Sequence, residues 1–253
     1  MRPIRLLVAV PAAVLLLAGC GDDTTAGSGN PAASGSASAS ATTGGGNGVA
    51  ALGAEEILKK AEAALRDAGS VRIKGDGGSG TERFAIDLRY ADDNSTGTLG
   101  INGQTIELRK LGQTVYLKGS REFWASSGGE GVAQLLTGKW LKTPLSDKRF
   151  GGLSELTDLD EAADGLLDPD GTITKGEQKT VNGVPCIGLV SSGKDGGTLW
   201  VATTGEPYPV RIEPDPKSDE EGAIDFTGYG ETVTVEAPPA DQVVDVSKLP
   251  SGN

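Results

Sequence analysis

The feature that most constrains the fold is a pair of Asn-Gly turns, each set between stretches in which apolar and polar residues alternate. TLGINGQTIELRK contains the first, Asn102-Gly103, and GTITKGEQKTVNGVPCIGLV contains the second, at 182–183. Asn-Gly accommodates the positive φ angles of a two-residue hairpin turn, so each pair predicts two antiparallel strands. RFAIDLRY and TVYLK have the same period of two, and we expect them, with REFW at 121–124, to extend the first meander.

Helical patterns separate this meander from a second one. Residues 54–69, AEEILKKAEAALRDAG, carry apolar residues on one helical face, and LSELTDLDEAADGLL at 153–167 repeats that spacing. Between them, GEGVAQLLTG predicts a short helix and GKWLKT a short strand, and GTLWVAT, YPVRIEP, AIDFTGYG and TVTVE predict further strands. The order helix, meander, helices, meander predicts an α+β fold with one large antiparallel sheet, in a single domain spanning residues 53–253.

The first twenty residues have the pattern of an export signal. MRPIR is basic, and the apolar run that follows, residues 6–18, is shorter than the roughly 20 residues that span a bilayer. Leu17-Ala18-Gly19-Cys20 resembles the lipobox of bacterial lipoproteins. This resemblance implies cleavage of a signal peptide, residues 1–19, and a lipid anchor on Cys20. Residues 20–52 would then be a Gly, Ser, Ala and Thr linker that tethers the domain to the extracytoplasmic face of the cell membrane.

Composition excludes several function classes. The net charge of −12 argues against nucleic-acid binding, and the absence of histidine excludes a Ser-His-Asp triad, a Cys-His dyad and any histidine-ligated metal. Cys186 lies in the apolar run VPCIGLV, where a buried thiol with a packing role is expected. We therefore expect a monomeric protein that is not an enzyme and has no cofactor and no metal site.

The lipobox, the opening helix, GKWLKT with its helical insertion, and the run TLWVATTGEPYPVRIEP followed by IDFTGYGETVTVEAPPADQVVD together resemble the LppX–LprG family of actinobacterial lipoproteins. That family shares the fold of the LolA and LolB lipoprotein carriers. The resemblance implies a curved, half-open antiparallel sheet whose concave face is covered by helices. It also implies an apolar cavity between sheet and helices that takes acyl chains of a lipid or glycolipid cargo. The candidate lining residues are Phe84, Ile86, Leu88, Leu99, Ile101, Ile106, Leu108, Leu156, Leu159, Leu166, Ile187 and Leu189.

Two interpretations remain open for this space. Valine, leucine and alanine side chains either leave a cargo cavity or fill it as ordinary core. In the second case the protein would bind an envelope protein partner or sense the state of the envelope, and an exposed apolar patch around Phe123, Trp124 and Trp200 would favour it. Residues 166–177 approach the spacing of a calcium-binding EF-hand loop but have Leu166 at the first ligand position, so a helix-to-strand turn is expected there.

Overall fold

The computed structural model describes residues 46–147, 152–194 and 196–246. The predicted signal peptide, Cys20 and most of the predicted linker lie outside these residues. The described helices are α1 (Ala54–Asp67), α2 (Arg121–Leu136), α3 (Leu153–Thr157) and α4 (Leu159–Leu167). The described strands are β1 (Ser70–Ser79), β2 (Glu82–Ala91), β3 (Asn94–Ile101), β4 (Gln104–Leu111), β5 (Thr114–Gly119), β6 (Trp140–Pro144), β7 (Ile173–Val181), β8 (Val184–Ser191), β9 (Gly197–Ala202), β10 (Pro209–Pro214), β11 (Glu221–Thr227) and β12 (Val243–Asp245).

The strands form one curved sheet in the order β12-β6-β5-β4-β3-β2-β1-β11-β10-β9-β8-β7. The two end strands do not pair with each other, so the sheet is half-open, and β12–β6 is the parallel pair in an otherwise antiparallel set. This is the α+β architecture that the sequence predicts.

Both Asn-Gly turns form as predicted. Asn102 and Gly103 have φ angles of 49° and 81°, and Asn182 and Gly183 have φ angles of 51° and 82°. Positive φ at both central residues is the requirement of a type I′ hairpin turn. The turns fix the registers of β3 with β4 and of β7 with β8.

Helix α1 also forms as predicted, because its sequence has acidic residues at the start, a glycine after the end and an apolar face. Glu55 and Glu56 lie in the first turn, where they complement the positive end of the helix dipole. Gly69 follows the helix with a φ angle of 69°, which ends it. The buried face packs on the concave side of the sheet and consists of Ile57, Leu58, Ala61 and Leu65.

Two predicted strands are wrong. REFW is the first turn of α2, because the Ser120 hydroxyl accepts a hydrogen bond from the backbone N–H of Phe123 at 3.1 Å and caps a helix there. TVTVE, residues 232–236, joins no ladder; the Glu236 carbonyl instead accepts a hydrogen bond from the Arg109 side chain at 2.9 Å.

The predicted helix at 153–167 is two helices. The Asp158 side chain accepts from the backbone N–H of Asp160 at 3.1 Å, so it ends α3 and caps the start of α4. The packed chain also begins earlier than residue 53. Val49, in a 3-10 turn at Val49–Ala51, is buried in the main core, and the Asn47 side chain donates to the carbonyl of Ala202 at 3.0 Å.

A second, smaller apolar cluster contains Cys186 and Trp200. The Trp200 ring lies under the Lys179 ammonium at 3.9 Å, and its Nε1 donates to Glu213 at 3.0 Å. Cys186 is a buried free thiol, as predicted, and burial raises its pKa. Because Trp124 and Trp200 are both buried and Phe123 is half-buried, the exposed aromatic patch considered for a partner-binding protein is not formed.

Candidate functional site

The β10–β11 hairpin differs from the tight hairpins of the sheet because its strands diverge. The ladder pairs only Arg211 with Asp225 and Ile212 with Ile224. Beyond Ile212 the chain continues through Glu213 and Pro214, and proline has no N–H to donate to a ladder. The divergence opens a gap at one end of the sheet, beside the last turn of α4.

A cavity of about 180 Å³ fills this gap. Its walls come from the concave side of the sheet, from α1 and from the end of α4. A cavity of about 150 Å³ holds a benzene molecule, whereas sites for drug-sized ligands start at about 300 Å³. The space therefore fits the end of an apolar chain. Its apolar wall residues are Leu58, Phe84, Leu166, Leu167, Ile173, Leu189, Leu199, Ile212 and Ile224.

An apolar ledge, formed by Phe84, Ile86 and Ile101, leads away from the cavity along the concave face. Phe84 pairs with Ile101 across β2 and β3, and their exposed fractions are 44% and 48%. Phe84 lies above Gly77 of β1, where a Cβ atom would come within 2.8 Å of its ring. The glycine thus lets the ring lie at the cavity wall, and the ledge continues the apolar surface beyond the cavity.

The rim of the cavity is acidic. Six of the described residues around it are aspartate or glutamate, and none of the described ones is lysine or arginine. Three of the six contribute mainly backbone, because the side chains of Asp76, Glu213 and Glu221 lie on the outer face of the sheet. Arg83 contacts Glu221 at 2.8 Å, and Lys179 and Arg211 lie 3.7 and 3.6 Å from Glu213. The six are Asp76, Asp168, Asp170, Glu213, Glu220 and Glu221.

The lid over the concave face, defined here as α3 and α4 (residues 153–167), is held by a row of three polar side chains. Tyr90, Ser95 and Lys110 are paired in register across β2, β3 and β4. The Tyr90 hydroxyl donates to the carbonyl of Leu156 at 2.7 Å, and the Ser95 hydroxyl to the carbonyl of Thr157 at 2.9 Å. These bonds fix the α3–α4 junction to the sheet, at the end of α4 opposite to the one that lines the cavity.

The third member of the row is an ion pair. Lys110 Nζ lies 3.1 Å from Asp158 Oδ2, and the exposed fractions of the two side chains are 2% and 33%. Burial raises the pKa of Asp158, but the hydrogen bond and the charge of Lys110, with two backbone N–H donors, outweigh burial and hold that pKa below its ordinary value. Burial and the Asp158 charge both raise the pKa of Tyr90. The junction is therefore held by a neutral phenol and a charged pair.

The sequence-predicted lining residues fall into four groups: the cavity wall, the ledge, the lid and the main core. Phe84, Leu166 and Leu189 line the cavity, and Ile86 and Ile101 belong to the ledge with Phe84. Leu159 is half-buried, and Leu156 is 37% exposed. The remaining five are buried in the main core: Leu88, Leu99, Ile106, Leu108 and Ile187.

Sequence reasoning missed the acidic rim and the glycines beside it. Asp219, Glu220 and Glu221 have the pattern of a solvated loop, and no spacing rule connects them with Asp168. The one local signal was Pro214 followed by Asp215-Pro216, which disfavours a tight hairpin at that point.

The calcium-like stretch, residues 166–177, runs from the end of α4 into β7, so it is the helix-to-strand connection that the sequence predicts. Within the part of the chain that the structure describes, no cluster of acidic and cysteine side chains is suited to hold a metal ion. In the same residues, no helix is both long enough and apolar enough to cross a membrane.

The fold matches solved structures at low sequence identity. The crystal structure of LprF from Mycobacterium bovis has a TM-score of 0.50 and 16% identity, covering 73% of this chain and 96% of LprF. The fold is LppX–LprG-like. The lipoprotein LppX from Mycobacterium tuberculosis follows with a TM-score of 0.48 and 13% identity, covering 72% of this chain and 98% of LppX. An uncharacterised conserved protein from Thermus thermophilus has a TM-score of 0.40 and 12% identity, covering 76% of this chain and 98% of that protein.

No family model matches the chain, and no curated protein matches it by sequence. The assignment of the fold therefore depends on the structural match to LprF, and it agrees with the fold that the sequence resemblance implied.

Proposed function

We propose that the protein is a lipid-anchored lipoprotein of the cell envelope that binds an acyl chain of a lipid or glycolipid between its sheet and its lid. The observation that carries the proposal is the apolar cavity, which continues onto the ledge of Phe84, Ile86 and Ile101, where Phe84 and Ile101 are exposed and Ile86 is half-buried. Exposed large apolar side chains lining a concave surface are typical of a ligand site. The protein would act by binding and release, without catalysis.

The cavity volume limits what is bound inside. At roughly 30 Å³ per methylene-sized unit, 180 Å³ takes about six methylenes. Burying them contributes about 5 kcal/mol before the costs of association, at about 0.8 kcal/mol each. A longer acyl chain would extend over the ledge, or the cavity end of the lid would lift.

One variant pair tests whether the cavity is the site. Leu166→Trp places a larger side chain into the cavity from the lid, whereas Leu159→Trp makes the same change on the same helix away from the cavity. Uptake of a fluorescent fatty acid should fall at least tenfold in the first variant and stay within twofold in the second. Equal uptake by both would place the ligand elsewhere.

Native mass spectrometry tests for cargo directly. The chain carrying Cys20→Ala, which has no acyl group of its own, is produced in an actinobacterial host and purified without detergent, and its mass is measured before and after solvent extraction. Adducts of lipid mass that extraction removes would support a carrier. A clean apo mass, with no uptake of added fatty acid, would refute the carrier proposal and favour the alternative, a partner-binding lipoprotein with a filled core. The small volume of the cavity is the observation that favours this alternative, because a filled core leaves little space for a lipid.

The anchor is tested separately. Cys20→Ala should release the protein from the membrane fraction and abolish its labelling by radioactive palmitate. A protein that remains in the membrane fraction and stays labelled would refute Cys20 as the lipidation site.

A further inference from the structure

The charge around the cavity constrains the head of any bound amphiphile. Of the six acidic residues around the space, Asp76, Glu213 and Glu221 direct their side chains to the outer face of the sheet, which leaves Asp168, Asp170 and Glu220; none of the described residues around the space is basic. Arg83, Lys179 and Arg211 offset Glu221 and Glu213. Asp168 and Glu220 are exposed, and neither has a basic partner within 4 Å among the described residues. The rim is therefore negative where the cavity meets water.

The backbone of α4 adds to this potential. The helix ends at the rim, with Leu166 and Leu167 in the cavity wall and Asp168 as its C-cap. A helix C-terminus carries about half a negative elementary charge, which a basic residue in the last turn ordinarily offsets. The last turn of α4 contains no basic residue, and the cap itself is an aspartate. Acid at this position opposes helix stability, so the arrangement needs a cause other than the stability of α4.

We propose that the cavity selects an amphiphile with one apolar tail and a cationic head, held with the tail inside and the head at the carboxylate rim. This inference rests on the proposed function and specifies its ligand class. The apolar wall binds any tail by burial, so the head decides between ligands that share a tail. A cationic head lies within attractive distance of Asp168 and Glu220, and an anionic head in the same place is repelled by both.

Three ligands with the same ten-carbon tail test the proposal: decylammonium, decanol and decanoate. At pH 7 the amine is charged like lysine and the carboxylate like glutamate, so only the head charge differs. The full chain carrying Cys20→Ala is titrated with each by calorimetry, so that no acyl group of its own competes for the cavity. At low salt, decylammonium should bind roughly tenfold tighter than decanol, and decanol tighter than decanoate. Raising the salt toward 1 M should bring the three affinities together, because the Debye length falls to about 3 Å.

The matched variants separate the rim from the overall net charge. Asp168→Asn with Glu220→Gln should remove most of the preference for decylammonium and leave decanol binding within twofold. Asp92→Asn with Asp93→Asn removes the same charge from the β2–β3 turn, at the opposite end of these strands, and should leave the preference intact.

Each outcome bears on one proposal. Equal binding of the three ligands, or tighter binding of decanoate, would overturn the cationic-head inference while leaving an acyl-binding cavity in place. Failure of all three to bind would refute the proposed function itself. If the rim variant and its control lose the preference equally, the selection comes from net charge and the inference is also overturned. The order of the three affinities on the chain with intact rim acids tests the preference for a cationic head even if a rim variant does not fold.

Discussion

Replacing Asp158 should destabilise the protein far more than replacing its partner, Lys110. Asp158→Asn removes the charge but keeps a side chain that caps helices well, so α4 retains its N-cap. The change leaves a lysine whose side chain is 2% exposed without its carboxylate. Lys110→Met keeps most of the buried stem and removes the ammonium, and the remaining carboxylate is 33% exposed and can be hydrated.

The magnitudes follow from this asymmetry. Removing one partner of a fully buried ion pair costs about 3–5 kcal/mol, whereas an apolar replacement is often neutral. Because water reaches Asp158, we reduce the first figure to about 2–3 kcal/mol for Asp158→Asn. For Lys110→Met we expect about 0–1 kcal/mol. The double variant should be about as stable as Lys110→Met, since the asparagine then faces no buried charge.

Urea unfolding at pH 7, followed by tryptophan fluorescence, measures the three free energies of unfolding. In a domain of this size the Asp158→Asn loss corresponds to a fall in Tm of roughly 5–10 °C. The stabilisation that the charged Asp158 carboxylate contributes should be lost in acid. Because the folded-state pKa of Asp158 is lowered, its contribution is present above the ordinary aspartate pKa of about 3.9 and is lost as the pH falls through the folded-state pKa. A loss for Lys110→Met equal to or larger than that for Asp158→Asn would refute the reasoning, because it would mean that the pair is not anchored by a buried lysine.

Three further predictions concern single features. Hydrogen bonds from arginines lower the pKa values of Asp87 and Asp225. The double variant Asp87→Asn with Asp225→Asn should therefore lose less stability than the parent protein between about pH 5 and pH 2. An unchanged dependence of the free energy of unfolding on pH would count against these two ion pairs. The indole N–H of Trp124 is buried without a partner among the described residues. Trp124→Phe should therefore change the free energy of unfolding by less than about 1 kcal/mol. A loss above about 2 kcal/mol would show that the N–H has a partner. The Cys186 thiol is buried with a raised pKa, so a disulfide reagent should modify it only as fast as the protein unfolds; rapid labelling of the native protein would disprove its burial.

Local signals in the sequence were enough to predict the hairpins and α1, because each depends on neighbouring residues. The sequence pattern did not predict strand β1, because the strand contains Gly75, Gly77 and Gly78 and glycine lowers strand propensity. The reason for these glycines is not local. A Cβ at Gly75 would lie 2.0 Å from the carbonyl oxygen of Ala223, on a strand far away along the chain. Gly75 therefore weakens the strand pattern in the sequence, and the same residue lets β11 approach β1 closely enough to pair with it.

The candidate site was less predictable for a related reason. Phe84, Leu166 and Leu189 follow from apolar periodicity, which marks the inward face of an element but not whether that face meets a neighbour or an empty space. The space depends on the divergence of β10 from β11 after Ile212. The rim brings together the end of α4 and the loop before β11, segments whose sequences resemble ordinary solvated acidic surface.

The central position of β1 has a consequence for how the chain folds. This strand is the first that the structure describes, yet it pairs on one side with β2 and on the other with β11, more than a hundred residues later. Chains are synthesised from the N-terminus, so the meander β2–β5 can form early from local contacts, whereas the two halves of the sheet join only after residues 221–227 have emerged. Until then β1 has an unpaired edge that offers backbone hydrogen bonds to other chains. Chains truncated before β11 should therefore aggregate rather than accumulate as a stable half-sheet, and a chaperone that covers the early strands would raise the yield of the intact protein.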